Sequence, residues 1–200
     1  VLLREQSPGL ASPPVLKPLR RTDEAAYVVP QFTSEIYLGW KRQGQIGNAQ
    51  ALSGGNEDLN FTDDGLSSYA PGVPYFQGPW SIQKDFVIAN GFKLKDVNSL
   101  TIKITGTDLY IVAAARPKNP QDLPNIAKMI VMVDKKPVIE ERLTSDVFTN
   151  EYRRTIVAIK EPRPYHLATK LEQGPHTLFL QLEPEGNDTV EIYMFCSEHR

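Results

Sequence analysis

The stretch RPYHLATKLEQGPHTLFLQLEPEGNDTVEIYMF, from Arg163 to Phe195, decides the fold class of this chain. It contains three runs in which apolar residues alternate with polar ones, and polar segments that contain Gly separate them. In the middle run the apolar positions are Leu178, Leu180 and Leu182. A period of two places these three side chains on one face of an extended chain, as in a strand with one buried face.

The next run alternates in the same way, at Val190, Ile192 and Met194. Between the two runs, the segment Glu185–Asp188 supplies residues that tolerate positive φ and bond their own backbone. The pattern therefore predicts that the two runs fold back on each other as an antiparallel hairpin.

Further strand-like runs begin at Trp80 and recur about every ten residues, with turn residues between them. They are Trp80–Ala89, Leu100–Thr105, Asp108–Ala115, Ala127–Asp134, Pro137–Glu140 and Arg154–Ile159. Such spacing is typical of an all-β fold, and it predicts one antiparallel β-sandwich of roughly eight or nine strands over residues 33–200.

Residues 1–32 carry five prolines and no sustained apolar period, so they are predicted to be a linker or arm from a preceding domain. Residues 43–78 are dominated by Gly, Asn, Asp, Ser and Pro. A loop of that length is unusual in a compact domain and favours a functional or poorly ordered segment.

Composition excludes several function classes. The formal net charge of -2 gives no electrostatic argument for nucleic acid or an anionic membrane surface, and no apolar run approaches the roughly 20 residues of a membrane-spanning helix. Cys196 is the only cysteine, so the chain has no internal disulfide, no Cys-x-x-Cys pair and no cysteine zinc site. It is predicted to be a small buried apolar group.

The ionisable residues also lack the spacing that catalysis or metal binding needs. The three histidines, His166, His176 and His199, have no i, i+2 or i, i+4 pair for a shared metal. No nucleophile motif such as Gly-x-Ser-x-Gly occurs. The chain is therefore predicted to have no catalytic residue, metal or cofactor and not to be an enzyme.

Aromatic side chains are the better candidates for a binding site, because an exposed ring beside polar groups matches the apolar faces and hydroxyl edges of a sugar. The candidate ligand-binding residues are Trp40, Arg42, Tyr75 and Trp80, which flank or lie in the long loop. In the alternative interpretation Trp80 and Tyr37 are core anchors and Trp40 is a packing residue.

Several motifs occur in the order found in one known module. They are Thr33–Arg42 (TSEIYLGWKR), Trp80–Asp85 (WSIQKD), Val131–Val138 (VMVDKKPV), Pro162–Leu167 (PRPYHL) and the two terminal strand runs. These motifs resemble the module that follows the thioredoxin-like domain in DipZ-type thiol-disulfide exchange and cytochrome c biogenesis proteins. The chain departs from the family pattern at Asp85, at Lys136 and at Cys196–Glu198, and it has an insertion in the last hairpin.

This resemblance implies a jelly-roll sandwich similar to carbohydrate-binding modules and galactose-binding-like domains. It also implies an upstream thioredoxin-like domain that carries the redox chemistry, and a periplasmic or other extracytoplasmic location. Two hypotheses for function follow. In one, the chain is an accessory module that binds carbohydrate or a cell-envelope polymer. In the other, it is a contact module that packs on the thioredoxin-like domain, on a second copy as a homodimer, or on a client protein.

Overall fold

The fold is described from a computed structural model that covers residues 32–39, 57–61, 70–89, 98–117, 126–183 and 189–199, with the backbone alone for 57–61. Over these ranges the chain forms thirteen strands and one short 3-10 helix, Glu140–Arg142. The strands are β1 (Ser34–Tyr37), β2 (Glu57–Phe61), β3 (Tyr75–Ile82), β4 (Val87–Ala89), β5 (Ser99–Thr105), β6 (Asp108–Arg116), β7 (Ala127–Val133), β8 (Lys136–Pro137), β9 (Val147–Thr149), β10 (Thr155–Ile159), β11 (Arg163–Ala168), β12 (Pro175–Leu182) and β13 (Thr189–Glu198).

The strands form two antiparallel sheets. Sheet 1 has the order β11-β6-β13-β4-β3-β2, and β1 pairs with β13 beside β4. Sheet 2 has the order β3-β5-β12-β7-β10-β9, and β8 extends it at β7. The predicted all-β antiparallel sandwich is confirmed, with more and shorter strands than expected.

Strand β3 belongs to both sheets. Its first part, Tyr75–Gln77, pairs with β5 in sheet 2, and its last part, Trp80–Ile82, pairs with β4 in sheet 1. Gly78 lies between the two parts with a φ of 82°, a conformation that costs little only for glycine. The bend at Gly78 therefore lets one strand close a corner of the sandwich.

The core lies between the sheets, because each contributes the apolar side of its alternating strands. Leu178, Leu180 and Leu182 enter it from sheet 2, while Val190 and Ile192 enter it from sheet 1, and all five are buried. The predicted buried face of β12 is therefore confirmed.

The predicted hairpin between these two runs is wrong. β12 pairs with β5 and β7, whereas β13 pairs with β6, β4 and β1. Alternation identifies the face of a strand that is buried, but two strands that cover one core from opposite sheets alternate in the same way. The segment that was expected to form the hairpin turn lies outside the described residues.

Strand β13 also departs from strict alternation. Its pairing with β6 shifts register between Ile192 and Met194, as a β-bulge does. Beyond the bulge Phe195 is buried in the main core, and Met194 packs in a second cluster on the other side of sheet 1. The expected inward position of Met194 is therefore corrected to Phe195.

Other predictions are confirmed. Asp134 and Lys135 have φ values of 53° and 64° and form the tight turn between β7 and β8. Cys196 is fully buried, and burial, with Glu35 nearby, raises the pKa of its thiol to about 12. The arm predicted for residues 1–32 lies outside the described residues except for Phe32, whose ring centroid lies 5.2 Å from that of Tyr110.

Candidate functional site

The outer face of sheet 2, turned away from the core, carries both aromatic and polar side chains. It consists of the residues that alternate with the buried positions on β3, β5, β12, β7 and β10. Because β12 places its leucines inward, Thr177, Phe179 and Gln181 lie on this outer face, and all three are half-buried.

One row across this face joins two aromatic rings; we call it the aromatic row. Tyr75 on β3 lies opposite Thr101 on β5, which lies opposite Phe179 on β12, which in turn lies opposite Met132 on β7. Strands in a sheet are about 4.8 Å apart, so the Tyr75 and Phe179 backbones are about 10 Å apart. The hydroxyl oxygen of Tyr75 accepts a hydrogen bond of 3.3 Å from the Ala70 amide. The row thus places two rings around a threonine.

A second row supplies amides. Gln77 and Gln181 lie on either side of Ser99, and the Ser99 hydroxyl donates a hydrogen bond of 3.2 Å to Oε1 of Gln77. Ser99 itself is buried, whereas Gln77 is exposed. Amide side chains both donate and accept hydrogen bonds, so this row offers the two kinds of group that sugar hydroxyls require.

A shallow depression of about 220 Å³ adjoins both rows. Met132, Pro137, Arg154 and Gln181 surround it, and Ile130 is part of its lining. A depression that combines an apolar lining with an amide and a guanidinium can hold part of a polar ligand.

Cationic side chains outnumber carboxylates on the strands of this face. Lys103, Lys128 and Arg154 point outward from the described residues of β5, β7 and the segment before β10, whereas Glu183 follows the end of β12. Glu183 lies beside Lys128, because its amide donates to the Lys128 carbonyl. The positive charge is therefore concentrated at Lys103 and Arg154.

The residues predicted from sequence have different outcomes. Tyr75 lies in the aromatic row. Trp80 is fully buried, its indole N–H donates 2.9 Å to the Gln77 carbonyl, and its ring meets Phe76 at 5.0 Å. It offers no surface to a ligand, so the alternative interpretation of a core anchor describes it. Trp40 and Arg42 lie outside the described residues.

Phe179, Gln77, Gln181 and Arg154 were missed. The sequence contained a signal for one of them, because Phe179 occupies the outward register of β12 between two buried leucines. An aromatic ring at a position that alternation places in solvent indicates a binding residue or an interface. The other three required knowledge of which strands are neighbours.

Two histidines are paired with aspartates, but their contacts are those of structural groups. Nδ1 of His176 lies 2.8 Å from Asp134 Oδ2, and Nε2 lies 2.7 Å from the Glu172 carbonyl oxygen. Both ring nitrogens are thus engaged, and the pair connects the β7–β8 turn to β12.

His166 belongs to a separate cluster at the edge of sheet 1. Its Nε2 lies 3.1 Å from Asp108 Oδ1, which also accepts a 2.6 Å hydrogen bond from the Thr169 hydroxyl. The ring stacks on Tyr110 with centroids 4.2 Å apart. Burial lowers the pKa of His166, and Asp108 opposes this effect only in part. The neutral imidazole is therefore favoured here.

Within the described ranges, no group of three or more His, Cys, Asp or Glu side chains is arranged to hold a metal ion. None of the helical structure in those ranges has the length and hydrophobicity needed to cross a bilayer.

Comparisons with known proteins find similarity only to solved structures, and that similarity is low. No family model matches the sequence, and no curated protein matches it. Among solved structures, a family two carbohydrate esterase from Cellvibrio japonicus aligns with a TM-score of 0.45 and 13% identity over 64% of this chain and 31% of that chain. A family two carbohydrate esterase from Clostridium thermocellum in complex with cellohexaose aligns with a TM-score of 0.37 and 12% identity, over 56% and 26% respectively.

These matches correct one prediction and leave another without support. The chain was predicted not to be an enzyme, yet the structures that it matches are esterases, so that prediction is not kept. The prediction was based on the absence of linear sequence motifs, but catalytic groups that come from separate strands form no such motif. No DipZ-type protein or thioredoxin-like domain is among these matches. The chain spans less than a third of either esterase.

Proposed function

We propose that the chain binds carbohydrate through the outer face of sheet 2. The aromatic row carries this proposal, because Tyr75 and Phe179 lie on one exposed face with Thr101 between them. A sugar ring has flat apolar faces that pack on aromatic rings, and hydroxyl edges that need donors and acceptors beside those rings. Gln77 and Gln181 supply these groups in the adjacent row.

The position of the rings supports a ligand rather than a core role. Phe179 alternates with Leu178 and Leu180, which fill the core, so its ring is on the opposite side of the sheet. A protein-contact surface would be a contiguous apolar patch. Here amides, a hydroxyl and cations interrupt the apolar groups, which favours the carbohydrate hypothesis over the contact-module hypothesis.

The position of this module beside a thioredoxin-like domain, and the extracytoplasmic location that goes with it, remain predictions. In such a protein the module would hold its partner near a glycan or cell-envelope polymer. The amino-acid sequence that precedes Val1 in a full-length protein checks this prediction, which requires a thioredoxin-like domain with a Cys-x-x-Cys pair.

Affinity electrophoresis through gels that contain neutral or acidic polysaccharides tests the proposed function. The variants are Phe179→Ala and Tyr75→Ala, and the matched control is Tyr37→Ala, an aromatic truncation on β1 of the opposite sheet. We expect at least one polymer to retard the wild type. Each site variant should bind about tenfold more weakly, since an aromatic contact contributes up to about 1.5 kcal/mol beyond area burial.

Thermal unfolding first establishes that each variant is folded. Retardation of folded Phe179→Ala equal to that of the wild type would contradict the proposal. Absence of wild-type retardation in every gel, together with a dimer in sedimentation, would instead support the contact-module hypothesis.

A further inference from the structure

We propose that the carbohydrate is acidic: a polysaccharide with repeating carboxylates, which Lys103 and Arg154 bind on either side of Phe179. This inference rests on the proposed function and adds the chemical class of the ligand.

The two cations lie on either side of the strand that carries Phe179, and Tyr75 lies one strand beyond Lys103. Lys103 lies on β5 next to Thr101, and Arg154 borders the depression beside Met132. Strands β12 and β7 separate them, which corresponds to three strand spacings, or about 14 Å. A polymer laid across the strands would therefore pass over Phe179 and meet a cation on either side of that ring.

Neither cation is neutralised by an ion pair within the described residues. The Arg154 guanidinium carbon lies 5.9 Å from the centroid of the Tyr152 ring. Asp134 lies beside Thr177, the β12 residue opposite Lys103, but it already accepts a hydrogen bond from the Thr177 amide and bonds the ring of His176. Lys103 and Arg154 are thus available to a carboxylate from outside the chain.

The two groups suit a carboxylate for different reasons. Arg154 is exposed, and its planar guanidinium can bind both oxygens of one carboxylate. Lys103 is half-buried, and a lysine at such a position can pack its stem on the sheet while its ammonium acts as a point charge at the surface. A neutral glycan would cover these cations without compensating their lost hydration, whereas a uronic acid polymer compensates it.

Polygalacturonate and its methyl ester test this inference, because esterification removes the carboxylates and leaves the sugar backbone. Binding of each polymer is measured by isothermal titration at about 50 mM and about 500 mM salt, which shortens the Debye length severalfold. We expect the wild type to bind the acid form at least tenfold more tightly than the ester, with most of this preference lost at high salt.

Variants identify the residues responsible. Arg154→Gln and Lys103→Gln should each weaken binding to the acid form severalfold more than binding to the ester. Lys84→Gln, an exposed lysine in the turn between β3 and β4 of sheet 1, is the matched control and should leave both unchanged.

The outcomes separate this inference from the proposed function. Equal affinity for acid and ester, or binding only to neutral polymers such as xylan, overturns the acidic ligand but leaves carbohydrate binding intact. Binding to none of these polymers overturns both. Equally tight binding to single-stranded DNA would show a general polyanion surface and would also overturn the inference.

Discussion

The carboxylate of Asp134 bonds two consecutive residues of β12: Oδ2 lies 2.8 Å from His176 Nδ1, and Oδ1 accepts a 2.8 Å hydrogen bond from the Thr177 amide. The Asp134 amide in turn donates 2.8 Å to the Thr177 carbonyl. One turn residue with positive φ thereby connects the β7–β8 turn to the strand that carries Phe179. The turn supports the edge of the candidate site.

Asp134→Asn tests this connection. Burial raises the pKa of Asp134, but hydrogen bonds from His176 and Thr177 outweigh this effect and lower it below 3.8. A carboxyl with a lowered folded pKa stabilises the fold above its unfolded pKa and loses that contribution as pH falls. We expect the wild type to exceed Asp134→Asn in free energy of unfolding at pH 7, and the difference to shrink below about pH 4. Urea unfolding at several pH values measures it.

Asparagine tolerates positive φ and retains an acceptor for the Thr177 amide, so this variant isolates the charge. A difference that is independent of pH would contradict the assignment.

His166 should have a pH dependence of the same sign, but at higher pH. Burial lowers its pKa from 6.5, and Asp108 opposes this effect only in part, so the unfolded chain takes up the proton more readily than the folded chain. Stability is then complete above about pH 6.5 and falls as pH decreases through that range. His166→Gln should flatten this fall, measured as the slope of unfolding free energy between pH 5 and 7 in roughly half-unit steps. His199→Gln is the control, and an unchanged slope in His166→Gln would refute the prediction.

Cys196 should be unreactive in the folded protein. Its thiol is fully buried, and burial with Glu35 nearby raises its pKa to about 12, so little thiolate exists near pH 8. We expect a colorimetric thiol reagent to label the native chain slowly and one thiol per chain promptly in denaturant. Cys196→Ser gives the blank, and rapid stoichiometric labelling without denaturant would contradict the burial.

Sequence alone predicted the strands better than their neighbours. The alternation around Leu178 and Val190 correctly predicts the buried face of each strand. It carries no information about which sheet each strand joins, so the two strands were wrongly paired in a hairpin. The β-bulge before Met194 was also not predictable from the sequence, because no local sequence signal there marks the extra residue of the bulge.

The candidate site was predictable only in part. Tyr75 was identified because it is aromatic, and so was Trp80, which proved to be core. The residue type alone does not determine whether a side chain is exposed, because exposure depends on which face of the strand the residue occupies. For Phe179 the outward face could be predicted from its neighbouring leucines. Gln77 and Arg154 share a face with that ring only because of the strand order, which depends on long-range pairing.

Leu180→Ala tests the arrangement in which β12 and β13 cover one core from opposite sheets. Leu180 is fully buried and lies between Leu100 on β5 and Val131 on β7, both of them also buried. Truncation leaves a cavity that neighbouring strands of a closed sandwich fill poorly, so we expect a loss of about 2 to 5 kcal/mol in unfolding free energy. Thr177→Ala on the outer face of the same strand is the control and should change stability by about 0.5 kcal/mol or less. Equal unfolding midpoints for Leu180→Ala and the wild type would show that this face of β12 is not part of the core, and would remove the basis for placing Phe179 at the surface.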